Sequence, residues 1–358
     1  MRFQRILSLL LFLSLLLATS VACQKPPEEN APVEDPPTQA KSYYEFFDTV
    51  SVIFSYKGDS AEEFEANCEA ISDLLLEYHR LFDIYYEYEG INNLKTVNKQ
   101  AGKEPVKVDS KLIDFLLYAK EIHTLTNGAT NIAMGSVLSL WHDAREDGID
   151  APESAALPNA DALTEAAKHT DINDLIIDRE ACTVFFADPA MRLDVGAIGK
   201  GYAAEQAAQL LISRGVSSYV LNVGGNLRAI GAKPASGNGW VTGITNPDKT
   251  SEESFVCKVV LKDTSLVTSG DYERFYVVDG KRYHHIIDPK TNQPAAYFSS
   301  VSIFTPDSAL ADALSTALFC MTYEEGLQLI KKLENVDVIW VKSDGTLYKT
   351  EGIELYNE

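Results

Sequence analysis

The chain is poor in positive charge: 31 Lys and Arg stand against 52 Asp and Glu, for a net charge of −21. A field of that sign argues against nucleic acid as a partner and against docking on anionic lipid through a basic face. Cysteine is scarce too. Cys23, Cys68, Cys182, Cys257 and Cys320 show no C-x-x-C spacing, which argues against a zinc or iron–sulfur centre. Cys68 and Cys320 fall within apolar helical patterns and read as small core residues, and nothing in the spacing demands a disulfide. After the first 22 residues no apolar run is long enough to span a bilayer. There is no repeat of fixed period, no Walker loop and no G-x-G-x-x-G after a clean strand.

What is present begins with a leader. Arg2 and Arg5 precede an apolar stretch, 6–18, broken only by Ser8 and Ser14, and the segment reaches Ala22-Cys23. Residues 1–22 therefore read as a secretory signal. A small residue directly before a cysteine resembles a lipobox, although Ser20 stands where a bulky aliphatic residue is usual. The expectation is an extracytoplasmic protein, lipid-anchored to the cell membrane through Cys23; ordinary signal cleavage is the alternative. Residues 24–41 (QKPPEENAPVEDPPTQAK) are rich in Pro and Glu and nearly free of large apolar side chains. They bury too little to offset ordering entropy, so 23–42 is expected to be a disordered tether. The remainder, 43–358, is the globular body.

Within that body, 46–56 alternates as a strand and 60–86 carries apolar residues at helical spacing behind a Ser60/Glu63 capping box. Asp109 caps a second helix that Asn127-Gly128 ends. Shorter helices are expected over 136–145 and 161–168. After Leu175 the texture becomes strand-rich: 175–177, 183–186, 218–223, 255–261, 265–269, 274–278, 283–287, 301–304 and 336–341. Helices are expected at 201–214, 306–321 and 323–333, and Asp279-Gly280 signals a hairpin. Helices lie early, strands late, and strict βαβ alternation is missing. The fold class is α+β, with a mixed or antiparallel sheet and a helix-rich N-terminal half.

Three blocks carry the chemistry: 193–203 (LDVGAIGKGYA), 269–289 (SGDYERFYVVDGKRYHHIIDP) and 311–318 (ADALSTAL). Gly199-Lys200-Gly201 opens a helix, where amides and dipole attract anions and Lys200 adds a point charge. Taken alone it serves equally as a packing turn. Asp312 and Thr316, four apart, project from one helix face and suit Mg²⁺, which prefers oxygen ligands; alone they suit an ordinary helix as well. His284 and His285 point to opposite faces of a strand-like run, so one at most faces a site as general acid or base. Tyr85 and Tyr86 offer aromatic faces near the end of the first long helix.

Together these blocks resemble the FAD:protein FMN transferase (ApbE) family, whose pattern reads roughly D-x-G-G-I-A-K-G-Y-A, N-x-G-G, S-G-x-Y-x-R-F…H-H-I-x-D-P and A-D-x-L-S-T-A. Here the blocks are 194–203, Asn222-Val223-Gly224-Gly225, 269–294 and 311–317, in that order. The resemblance implies an extracytoplasmic, Mg²⁺-dependent enzyme with an ApbE-like fold. Such an enzyme cleaves the pyrophosphate of its substrate FAD and attaches FMN through a phosphoester to a Thr or Ser of an acceptor flavoprotein, a redox-pump subunit or another extracellular flavoprotein, releasing AMP. It implies a metal site at the carbonyl of Ala197 with Asp312 and Thr316. Contacts to FAD fall on Phe47, Tyr85, Ala129, Thr130, Asn131, Asp194, Lys200 and Ile286, and the catalytic histidine is His285. Two departures lie on the flavin side: Phe47-Asp48-Thr49 replaces Met-Gly-Thr, and Thr130-Asn131-Ile132 replaces Phe-Asp-Pro. The alternatives are an FAD pyrophosphatase and a non-catalytic flavin-binding lipoprotein.

Overall fold

One eight-stranded sheet organises this computed structural model, which describes residues 39–56, 60–233 and 237–356. Its order is Gln39–Tyr43, Ser51–Ser55, Ser218–Val223, Asn226–Gly231, Ser265–Gly270, Ser300–Thr305, Asp337–Val341 and Leu347–Lys349. All its pairings are antiparallel, so the α+β expectation holds.

The sheet is covered on both sides because its strands are apolar at consecutive positions. Ile53, Tyr219, Leu221 and Val223 pack beneath the helices Ala61–Phe82 and Gly199–Ser213. Further along, Val267, Val301, Ile303, Val338 and Trp340 receive the helix Ser308–Phe319. On the opposite face Val220, Ala229, Leu266, Phe304 and Ile339 meet the hairpin Trp240–Thr245/Phe255–Leu261. Cys68 and Cys320 are fully buried, as their patterns predict.

Local chemistry explains most element boundaries. The Ser60/Glu63 capping box starts the first helix, and the Asp109 side chain accepts the Lys111 amide at the start of Ser110–Leu125. Asp279 and Gly280 both take the left-handed conformation in the hairpin turn. Gly224 and Gly225 do the same between Ser218–Val223 and Asn226–Gly231. The Asn222 side chain accepts the Gly225 amide there at 2.9 Å, which accounts for that N-x-G-G block.

Several boundaries differ from expectation, among them the helix read over 136–145, which runs Gly135–Asp150. The alternation over 46–56 yields a strand only at Ser51–Ser55, because Phe47 and Asp48 turn into the left-handed region. The helix read over 60–86 stops at Phe82, where Asp83 captures the amides of Tyr85 and Tyr86. The run 283–287 divides: Lys281–His284 ends one hairpin, and Ile287–Asp288 pairs with Gln293–Pro294 instead. The segment read as tether contributes an edge strand, Gln39–Tyr43, tied down by Lys41 to Glu65 at 2.5 Å and by the Tyr43 hydroxyl to the Cys68 carbonyl at 3.0 Å. The expected signal, Cys23 and residues 24–38 lie outside the described residues. Among the described residues no helix is long and apolar enough to cross a membrane.

Candidate active site

The site is built where two helices meet at their first turns. The helix Gly199–Ser213 starts without a side-chain cap. The Gly199 amide donates to the Val195 carbonyl at 2.8 Å, and the Gly201 amide donates to Asp312 Oδ2 at 2.7 Å. A Cβ on Gly201 would overlap both the Asp312 Cβ and the Ser308 carbonyl oxygen. The glycines therefore bring the acid-bearing helix close. The amides expected to be open for a phosphate at Gly199 and Gly201 are already used within the fold. Lys200 projects between them, its Nζ 3.4 Å from the Gly196 carbonyl.

Asp312 is buried, at 5 % exposure. Burial raises its pKa; Lys200 and the Gly201 amide act in the opposite direction. The Asn226 amide also favours the charged form, although its buried Nδ2 stands outside hydrogen-bond geometry to any partner. Thr316 lies one turn along the same helix, half-buried, and Ala197 sits in the turn before Gly199. A buried carboxyl one helical turn from a hydroxyl offers oxygen donors of the kind a hard divalent cation takes, and the Ala197 carbonyl is the third donor that the family resemblance implies. Among the described residues no cluster of three His, Cys, Asp or Glu side chains could hold a metal.

The two histidines separate as alternation requires. His284 is buried: Nε2 donates to the Ala295 carbonyl at 2.8 Å, Nδ1 accepts the Ile286 amide at 3.2 Å, and the ring meets Phe319 edge-on. Both its nitrogens are spent. His285 is half-buried, and Nδ1 faces the Arg274 carbonyl at 3.2 Å. A carbonyl can only accept, so Nδ1 carries the proton and Nε2 keeps its lone pair. Burial first, then Arg274, His284, Arg145 and Lys200, lower the His285 pKa to about 3.

Those same cations reach the neighbouring groups. Asp194, whose Oδ1 accepts the Gly196 amide at 2.9 Å, is raised by burial and opposed by that hydrogen bond, His142, Lys200 and Arg145. Tyr85, 52 % exposed, meets His142 at a tilt of 39° with ring centroids 5.5 Å apart. Burial of its hydroxyl and the charge of Asp194 push its pKa up to about 12, against Arg145 and Arg274. The fields of Lys200, Arg145 and Arg274 thus reach His285 together, with Arg145 itself held against His142 Nδ1 at 2.9 Å and Glu146 at 3.4 Å. Arg274 stands in the 269–289 block. Arg145 and His142 come from the helix Gly135–Asp150, and no motif marks them.

The fold holds the flavin-side residues in different ways. Phe47 occupies a left-handed turn (φ 53°), and its amide donates to His79 Nδ1 at 3.2 Å. Asp83 orders the Tyr85 turn and accepts the Tyr88 hydroxyl at 2.7 Å. Ala129 is packed into the core beneath the Ser308–Phe319 helix. Thr130 donates its hydroxyl to the Ala313 carbonyl at 2.7 Å, one residue from Asp312. Asn131 spends both ends of its amide, on the Thr170 carbonyl and the Ala133 amide. Ile286 is buried, and its amide and carbonyl pair with His284 and Ala295. In this structure the polar groups of Thr130, Asn131 and Ile286 support the walls of the site.

Comparison with known proteins agrees with the geometry. The model of the ApbE family matches residues 48–340. A protein of Treponema pallidum named FAD:protein FMN transferase is 38 % identical over 273 residues, 73 % of this chain and 73 % of that protein. One of the same name from Klebsiella pneumoniae is 30 % identical over 270 residues, 73 % of this chain and 81 % of its own length. The crystal structure of the ApbE protein of Thermotoga maritima superposes with a TM-score of 0.75 at 29 % identity, covering 87 % of this chain and 97 % of that one. The flavin transferase ApbE of Vibrio cholerae, 23 % identical, shares the fold with a TM-score of 0.72 over 88 % of this chain and 97 % of its own.

Proposed function

The chain belongs to the ApbE family, and from that premise we propose that it is a FAD:protein FMN transferase. The observation that carries the proposal is His285, whose Nδ1 faces the Arg274 carbonyl at 3.2 Å and leaves Nε2 open, within the field of Lys200, Arg145 and Arg274. Three cations suit a pyrophosphate, and an imidazole with a free Nε2 suits the proton of an attacking hydroxyl.

In this reading the hydroxyl oxygen of an acceptor Thr or Ser attacks the FMN phosphorus. The bond from that phosphorus to the bridging oxygen breaks, AMP leaves with that oxygen, and the hydroxyl proton passes to His285 Nε2. The cations spread the charge of the phosphoryl oxygens. A pyrophosphate bound among them also offsets the field that depresses His285, so the imidazole becomes a stronger base when substrate is present. Tyr85 and Phe47 supply aromatic surface for the flavin ring. Mg²⁺ would be held by Asp312, Thr316 and the Ala197 carbonyl; when bound, it neutralises phosphoryl oxygens. The acceptor is a separate flavoprotein. A lipid on Cys23 would hold the body at the outer surface of the membrane.

The test is to incubate the soluble body with FAD, Mg²⁺ and a candidate acceptor protein. Acceptor that stays flavin-fluorescent through denaturing electrophoresis, with AMP released in equal amount, supports the proposal. AMP without labelled protein makes the chain an FAD pyrophosphatase. Bound flavin with no AMP makes it a carrier.

A further inference from the structure

The two helices of the site are locked by a reciprocal exchange. The first-turn amide of Gly201 donates to Asp312 on the partner helix. The first-turn amide of Ser308 donates back to Glu205 Oε2 at 2.9 Å. Glu205 is itself buried and anchored: Oε2 also accepts from Arg228 Nε at 3.2 Å, and Oε1 accepts from Gln209 Nε2 at 2.7 Å. Arg228 reaches it from the strand Asn226–Gly231, with Nη1 on the Ala229 carbonyl at 2.6 Å.

Two arguments separate this exchange from ordinary stabilisation. The Ser308–Phe319 helix already has its cap, because the Asp307 side chain accepts the amides of Ala309 and Leu310. Glu205 adds one bond that the helix does not need in order to form, but that fixes where its first turn stands. A buried ion pair is also a poor source of stability, since desolvation offsets much of its attraction. Its distinct physical effect is on geometry.

We infer that Glu205, held by Arg228, is a positioning residue for Asp312, one turn after Ser308, and so for the divalent ion that the proposed function places there; the inference rests on that reading. Glu205 touches no reacting atom. It sets the separation at which the Asp312 carboxylate stays on the Gly201 amide.

Three variants of the otherwise intact body test this, read by amide exchange at Gly201 and by Mn²⁺ titration. Ser308→Pro deletes the N–H that Glu205 accepts, at the first helical position, where proline is tolerated. E205L combined with R228M removes the pair without leaving one charge buried alone. Glu205→Gln, made in the R228M background so that no charge is left buried alone, retains an acceptor for the Ser308 amide. The first two should lose protection at Gly201 and bind Mn²⁺ about 10–100-fold more weakly, the usual range for groups behind a metal ligand. Glu205→Gln should stay within about 3-fold of the original protein on the same scale. Ser308→Ala is the control, because the Ser308 hydroxyl has no hydrogen-bond partner. Wild-type protection and Mn²⁺ affinity in whichever of the first two variants folds would overturn the inference, as would Glu205→Gln losing as much as they do. If the original protein takes up no Mn²⁺, the metal reading fails, while protection at Gly201 still decides the positioning.

Discussion

Gly201 and Asp312 are joined by a 2.7 Å hydrogen bond on a face where only a glycine fits. The glycine thereby decides how near the carboxylate stands to Lys200, and the carboxylate occupies the amide that a helix start would otherwise offer to an anion.

Gly201→Ala tests that relationship. Alanine is the better helix former by about 1 kcal/mol, but its methyl would overlap the Asp312 Cβ and the Ser308 carbonyl, and overpacking of a tight core costs about 1–3 kcal/mol. The clash outweighs the propensity. Thermal melting should show net destabilisation, and FMN transfer should fall with it. A variant more stable than the original and fully active would refute the packing role.

Asp312→Ala should abolish transfer while the fold survives. Burial holds the Asp312 pKa above its ordinary value, so this carboxyl stabilises the fold below its unfolded pKa and loses that contribution as pH rises. Asp312→Ala relieves that burial penalty but leaves the Gly201 amide without its acceptor, so the two effects oppose each other and the variant should still melt cooperatively. Normal turnover at ordinary Mg²⁺ concentrations would sink the assignment.

The two histidines should fail in different ways. His285→Ala should slow transfer by roughly 10²–10⁴-fold and leave FAD binding in place, as for loss of a general base. His284→Ala leaves the Ala295 carbonyl and the Ile286 amide without partners, and an unsatisfied buried group costs about 1–3 kcal/mol. It should lower the melting temperature first and activity second. Turnover and thermal unfolding, measured on both variants, distinguish the two outcomes; the reverse pattern would exchange the roles.

In the free protein His285 should remain neutral well below pH 6. Its folded pKa is lowered to about 3, against about 6.5 in an unfolded chain. The unfolded chain therefore binds the extra proton between those values. The stability this group contributes is fully present above about pH 6.5 and is lost as pH falls towards 3. His285→Gln should remove that part of the acid slope. Imidazole resonances followed by NMR check the pKa directly, and addition of FAD should raise it. A His285 titrating near 6.5 in the free protein would contradict the electrostatic reading.

Cys23→Ala should release the body from the membrane fraction or leave it held by an uncleaved signal. Wild-type protein that is fully soluble with Cys23 unmodified by mass spectrometry would refute the anchor. A soluble body should begin before Gln39 and keep transfer activity. One beginning at Tyr44 lacks the edge strand, the Lys41–Glu65 pair and the Tyr43 hydrogen bond, and should melt at lower temperature. Equal melting temperatures would show that the edge strand contributes nothing.

By itself the sequence determined the elements whose signals are local. Ser60 with Glu63, Asp109 before Ser110–Leu125, and the Asp279-Gly280 turn depend on neighbours within a few residues, and each stands where the pattern puts it. That His284 and His285 face opposite ways was legible for the same reason, but only the fold shows that His284 is the one turned inward with both nitrogens spent. Tertiary structure decided everything that joins distant parts of the chain. Arg145 lies 140 residues from His285, and no spacing rule connects them. The Gly199-Lys200-Gly201 block looked open to a phosphate because the acid that takes its amide is 111 positions away. The strand at Gln39–Tyr43 has the composition of a tether and becomes ordered because Ser51–Ser55 offers it an edge to pair with. Long-range hydrogen bonds and shared electrostatic fields act through space, so they appear only once the chain has folded.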